Sequence, residues 1–169
     1  YGESTREQKE MRSESLNAYG TPSKKPGSKS ATGKNSGVVE INSADTTAYQ
    51  SLRGIGPVYA QRIVRFRNAL GGFHHFEQLK EVYGIPEALW STLAEQLVID
   101  TSMIRKLAVN QLDAKELQKH PYISWKEAER IVAYRQQHGV YYSMADMRKI
   151  LQLDTDFFSK IEPYLDFQK

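Results

Sequence analysis

LRGIGPVYAQRIVRFR, residues 52–67, is the stretch on which the fold turns. Inside a helix glycine costs about 1 kcal/mol and proline about 3 kcal/mol relative to alanine, so Gly54, Gly56 and Pro57 mark a boundary. Pro57 suits the first helical position, where its missing N–H costs nothing. A helix over about residues 57–69 then turns Ala60, Ile63, Val64 and Phe66 inward and Arg62 and Arg65 outward. Gly71-Gly72 ends it. Ahead of the helix, glycine permits a positive φ, and Ile55 between the two glycines can drop into a core and hold the turn. With no side chains at 54 and 56, a ligand can reach the backbone. The N–H groups of Gly56 and the first helical turn then face it from a positive helix end. That geometry favours an anion, phosphate above all, with Arg53 and Arg62 adding charge at the edges. The competing reading is a turn that needs glycine for its shape alone.

Working outward, the chain repeats. Residues 39–100 align without a gap on residues 107–168 at a shift of 68. Identical pairs include Asn42/Asn110, Asp45/Asp113, Ile55/Ile123, Ala60/Ala128, Arg62/Arg130, Ile63/Ile131, Arg67/Arg135 and Gly71/Gly139. Two copies of one helical unit are the natural reading. In the first, Asn42 or Ser43 is placed to cap a short helix near 45–52. Phe76, Leu79 and Val82 mark a third helix, and Leu89, Leu93 and Leu97 a fourth after Ile85-Pro86. No stretch sustains period-two alternation, so strands are not expected.

The remaining residues set bounds. Residues 1–37 are rich in Ser, Gly, Lys and Thr and poor in large apolar groups, so they read as a disordered tail and linker. Mean hydropathy of −0.59 fits a chain with such a solvated part. The absence of cysteine excludes disulfides, zinc–cysteine sites and thiol catalysis. The net charge of +3 is concentrated in the first 38 residues, with 7 basic and 4 acidic side chains. Residues 39–101 carry 5 basic and 7 acidic, so no global charge argument for nucleic acid is available. No apolar run reaches the roughly 20 residues of a membrane span.

VVEINSADTTAYQSLRGIGPVYAQRIVRFRNALGGFHHFEQLKEVYGI (38–85) resembles the helix-hairpin-helix region of the ComEA family, with its Asn-x-Ala entry, Gly-Ile-Gly-Pro hairpin, Ala-x-x-Ile helix, Gly-Gly-Phe turn and weaker second Gly-Ile hairpin. The tandem form is similar to ComEA-related proteins of Bacteroidetes. The resemblance implies an all-α fold: two tandem double helix-hairpin-helix, SAM-like units at 38–101 and 102–169, after the tail at 1–37. It implies binding of duplex DNA through phosphates without sequence preference, in competence or DNA uptake. Other partners would be DNA-uptake or envelope proteins. No enzyme activity and no small-molecule substrate are implied, and a cell-envelope or periplasmic setting with an upstream membrane anchor is expected. Contact residues carried over are Arg53, Gly54, Ile55, Gly56, Pro57, Val58, Tyr59 and Arg62, with Gly84, Ile85 and Pro86 at the second hairpin. No cofactor is expected, although the resemblance admits a monovalent cation at hairpin carbonyls.

The second copy departs from this pattern. Tyr122, Ser124 and Trp125 replace Gly54, Gly56 and Pro57, and Gln152 replaces Gly84. It is expected to keep the fold, lose the phosphate site, and either pack on the first copy or bind a protein. A helical interaction scaffold without DNA binding is therefore the alternative function, marked by an exposed apolar patch near Tyr122 and Trp125. His74-His75 reads as a surface pair with no carboxylate at metal-ligand spacing. His120 and His138 read as isolated. Trp90, Trp125 and the tyrosines read as core.

Overall fold

A computed structural model of the protein describes residues 37–168, all within one compact unit, Lys34–Lys169. The expected disordered tail lies, but for Gly37, outside the described residues. The first copy runs β1 (Val39–Glu40), α1 (Thr46–Gln50), α2 (Pro57–Leu70), a 3₁₀ helix (Phe76–Glu81), α3 (Glu87–Leu93) and β2 (Leu97–Val98). The second runs β3 (Leu107–Ala108), α4 (Ala114–Leu117), α5 (Trp125–His138), α6 (Met144–Met147), α7 (Thr155–Ile161) and β4 (Leu165–Asp166). The protein is thus predominantly helical and built of two helix-hairpin-helix repeats.

The expectation of no strands is corrected. β1 pairs in parallel with β2, Val39 opposite Leu97, and β3 with β4, Leu107 opposite Leu165. Each strand has two residues, too few for alternation to show in sequence. These pairs bring the two ends of each copy together, and their registers are related by the same shift of 68.

The recurring polar residues explain why each copy closes. Asn42 Oδ1 accepts from Phe73 N (2.6 Å), and its Nδ2 donates to the carbonyls of Phe73 (2.9 Å) and Asp100 (3.0 Å). Asn110 does the same with Tyr141 and Phe167. Arg67 donates to Ile41 O and Ala44 O, and Arg135 to the equivalent Val109 O and Leu112 O. The expected cap is also corrected. Asp45, not Asn42 or Ser43, caps α1 by accepting from Ala48 N (2.7 Å), and Asp113 caps α4. Asn42 is engaged further away, which its position before the helix does not reveal.

Ala60, Ile63, Ala128 and Ile131 are fully buried, as the helical spacing implies. Leu79 and Val82 are buried as expected, whereas Phe76, the first residue of the 3₁₀ helix, is exposed. Trp90 and Tyr49, Tyr141 and Tyr164 are core residues, whereas Trp125, Tyr83 and Tyr142 are exposed. Among the described residues no helix is long and apolar enough to cross a membrane.

Candidate nucleic-acid interface

The first hairpin is held by two buried pegs, Leu52 and Ile55, with Ile55 N donating to Leu52 O (3.1 Å). Gly54 has a φ of +90°, and a Cβ there would lie 2.7 Å from Leu89 Cδ1. Glycine at 54 is therefore demanded by the turn. Gly56 is different. Its φ of −88° and ψ of 177° suit any residue, and a Cβ would meet nothing within 4 Å among the described residues. The fold does not require glycine at 56.

What the missing side chain leaves open is the start of α2. Gly56 is the N-cap and makes no side-chain cap; Pro57 has no N–H; Val58 is exposed. The equivalent helix, α5, is also 14 residues long and has a full capping box. Ser124 Oγ accepts from Glu127 N, and Glu127 in turn accepts from Ser124 N (2.6 Å). The second copy thus satisfies its helix start with its own side chains, while the first presents that end to solvent.

The second hairpin has the same burial sequence as the first, residues 82–90 against 52–60. Gly84 has a φ of +76°, Ile85 is buried, and Pro86 precedes α3. The two hairpins lock into each other. Leu89 of α3 lies over Gly54, and the Arg62 guanidinium lies over Gly84, donating to Tyr83 O (3.0 Å) and resting 5.2 Å from the Tyr83 ring centre. Arg130 makes a similar bond one position further on, to Gln152 O (2.8 Å). Arg62 is accordingly a strut between α2 and the second hairpin, a role the second copy shares without the glycines. Gly84 is glycine for φ and for this strut. Glu87, in the first turn of α3, pairs with Lys80 (2.9 Å) and places a carboxylate at that helix start.

The residues singled out therefore divide. Gly54, Gly56, Pro57, Val58 and the exposed Arg53 share one hairpin surface, beside the half-buried Tyr59. Ile55 and Ile85 offer only backbone, since their side chains are core. Gly84 and Pro86 sit on the adjoining hairpin, next to a carboxylate.

The equivalent cleft of the second copy is acidic. Glu127, Asp154 and Asp156 line a hollow of about 340 Å³ beside Tyr122 and Phe157, with Lys160 paired to Asp156. Three carboxylates repel a phosphate there. The substitutions in this hairpin have a second use. Tyr122 Oη donates to Glu81 Oε1 (2.9 Å) and accepts from Gln78 Nε2 (3.0 Å), so the altered hairpin plugs into the first copy. Gln78 also donates to Tyr164 Oη (2.7 Å), which donates to Gly72 O (3.0 Å). Tyr122 is therefore part of a seam, not of a free apolar patch.

His120, read as isolated, lies in the same seam, 3% exposed and 4.8 Å from the Tyr164 ring centre. Its Nε2 sits 3.0 Å from Leu70 O, and its Nδ1 accepts from Tyr122 N. A carbonyl only accepts and an amide N–H only donates, so the ring is neutral with its proton on Nε2. No feature of its neighbours in sequence marks it, because Leu70, the partner of Nε2, lies 50 residues away.

Burial pushes the His120 pKa down to about 4, the bond to Leu70 O opposing this in part. Unfolded, the ring titrates near 6.5. Between those values the unfolded chain takes up a proton that the folded one refuses. Stability falls as pH drops from about 6.5 towards 4, by up to about 3 kcal/mol, and this contribution levels off below 4. Urea midpoints from pH 7 to pH 4 should show this slope, and His120→Gln should flatten it. An equal slope in both proteins would remove His120 from the account.

Comparison with known proteins places these repeats. A family model described as the helix-hairpin-helix motif matches residues 34–98 and 103–166. Two curated relatives carry the name endonuclease/exonuclease/phosphatase family domain-containing protein 1. The Danio rerio protein is 24% identical over 141 residues, covering 73% of this chain and 26% of its own length. The Xenopus laevis protein is 25% identical over 152 residues, covering 78% and 27%. The chain spans about a quarter of the length of these relatives. No solved structure matches it. Two matched segments that coincide with the two structural copies make the chain a member of the helix-hairpin-helix family.

Proposed function

We propose that the first copy binds duplex DNA through backbone phosphates, without reading base sequence. The observation that carries this reading is Gly56, a glycine that the turn does not need, at the uncapped start of a 14-residue helix. A phosphate oxygen placed there meets backbone donors and the positive helix end, with Arg53 at the rim. Backbone N–H groups contact phosphate and carry no base information. The second copy serves as a structural partner, its own hairpin cleft being acidic.

The ComEA resemblance extends the proposal to a role as a receptor in competence or DNA uptake, with envelope proteins as further partners. We also propose that this chain is a binding module without enzyme activity, the nuclease and phosphatase names belonging to far longer relatives. Incubation of the chain with duplex DNA and magnesium should leave the DNA intact; cleavage would overturn that part.

The binding test is fluorescence anisotropy with a labelled duplex at two salt concentrations. Affinity should be modest and fall with salt as expected for about two to four phosphates released from their counterions. AT-rich and GC-rich duplexes should bind alike. Failure of the chain to bind at low salt would sink the reading and favour the interaction scaffold.

A further inference from the structure

A second groove lies on the second copy, between α5 and residues 149–152. It measures about 490 Å³ and is lined by Arg130, Gln137, His138, Lys149, Leu151 and Gln152 among others. Volumes of this order accommodate small organic ligands. Among the described residues no carboxylate lines it. Lys149 pairs with Asp146 (2.8 Å), which also accepts from Tyr142 N and Ser143 Oγ, and the exposed lysine can turn to another anion.

The repeat supplies a comparison on the same backbone. Where the second copy has Gln137, His138, Lys149 and Gln152, the first has Ala69, Leu70, Glu81 and Gly84. Four positions with an apolar residue, an acid or no side chain have become four with a hydrogen-bond donor, and one of them reverses charge. Arg62 and Arg130 are the constant member. The change is opposite to that at the hairpin cleft, where the second copy gained Glu127, Asp154 and Asp156 in place of Tyr59, Pro86 and Ala88. The second copy thus carries its anion-attracting side chains at this groove and not at the cleft of Tyr122, Glu127 and Asp154.

The groove also offers apolar surface. Leu151 is 90% exposed, and the His138 ring lies tilted against Tyr134, 4.2 Å between centres. A ligand that satisfies both halves carries an anion, several acceptors and a flat apolar body. Duplex DNA supplies the anion but keeps its base faces stacked inside. An unpaired nucleotide supplies all three, the base lying against Leu151 and His138 and the phosphate against Lys149. We propose that this groove holds an unpaired strand of DNA, at a site separate from the duplex-binding hairpin.

The test uses the full chain and a labelled 15-residue oligothymidylate in anisotropy at low salt. The first variant, His138→Leu with Lys149→Glu, installs residues the first copy already accommodates at the same positions. The second, Leu151→Asp, changes a side chain too exposed to matter for folding and puts a carboxylate at the groove. Each should weaken oligothymidylate binding at least about fivefold and leave duplex binding unchanged. Gly56→Leu should do the reverse. No binding of the oligothymidylate by the unaltered chain would overturn the proposal, as would equal binding by Leu151→Asp, or loss of binding with Gly56→Leu. Duplex binding without oligothymidylate binding would leave the hairpin reading standing and remove this one. Oligothymidylate binding without duplex binding would do the opposite.

Discussion

Gly56→Leu should abolish most duplex binding, by at least about tenfold, and leave the circular dichroism spectrum unchanged. The backbone at 56 is extended, so leucine enters without strain, and none of the described residues stands within 4 Å of its Cβ. Its cost to folding is that of a poor N-cap residue, about 1 kcal/mol, small beside the 5–15 kcal/mol of a typical domain. Its cost to binding is larger, because the side chain occupies the space through which a phosphate reaches the helix start. A hydrogen bond to a charged group contributes about 1.5–3 kcal/mol, and each 1.4 kcal/mol is a factor of ten. Gly54→Leu is a poorer probe. At a φ of +90° it strains the turn and meets Leu89, so lost binding would be confounded with lost structure. In the second copy Ser124→Ala should cost about 1 kcal/mol of stability and nothing in DNA binding. If Gly56→Leu binds as tightly as the unaltered chain, the helix start is not the phosphate site.

The contrast between the two glycines also marks how far the sequence could be read. The boundary at 54–57, the helix that follows and the shift of 68 all follow from local chemistry and periodicity. So do the buried faces of α2 and α5. The sequence does not distinguish a glycine held by φ from one left bare, because both are written Gly; only the backbone angle and the empty space at 56 separate them. Arg62 is similar. An arginine on a polar helix face reads as available for phosphate, yet it bonds to Tyr83 O, 21 residues on. The recurrence of Arg130 held the clue, since a residue kept in a copy without the glycines serves the fold. The seam was least legible. Tyr122 and His120 read as a decayed hairpin and a stray ring, and their partners Gln78, Glu81 and Leu70 belong to the other copy.

That seam accounts for the second large effect. Tyr164→Ala should destabilise the protein by about 3–5 kcal/mol for the lost ring, with a further 1–3 kcal/mol from polar groups left unpaired. Tyr164 is fully buried, and its hydroxyl joins Gln78 of the first copy to Gly72 O. Its ring also packs beside His120 and Tyr122. Tyr164→Phe keeps the ring and loses only the hydroxyl, so its cost should be about 1–3 kcal/mol. Urea unfolding followed by tryptophan fluorescence separates the cases, Trp90 reporting from the first copy and Trp125 from the second. The unaltered chain should unfold in one transition, because the seam couples the copies. Tyr164→Ala should lower the midpoint and split the transition in two. A midpoint unmoved in Tyr164→Ala would mean the seam contributes nothing to cohesion. The same variant tests the division of labour between the copies. α2 is about 20 Å long, and the seam meets its C-terminal end, at Leu70 and Gly72, while the hairpin lies at its start. Where the first copy stays folded, Tyr164→Ala should therefore bind duplex DNA within about threefold of the unaltered chain. A larger loss would show that the second copy helps to shape the DNA-binding hairpins and does more than stabilise their base.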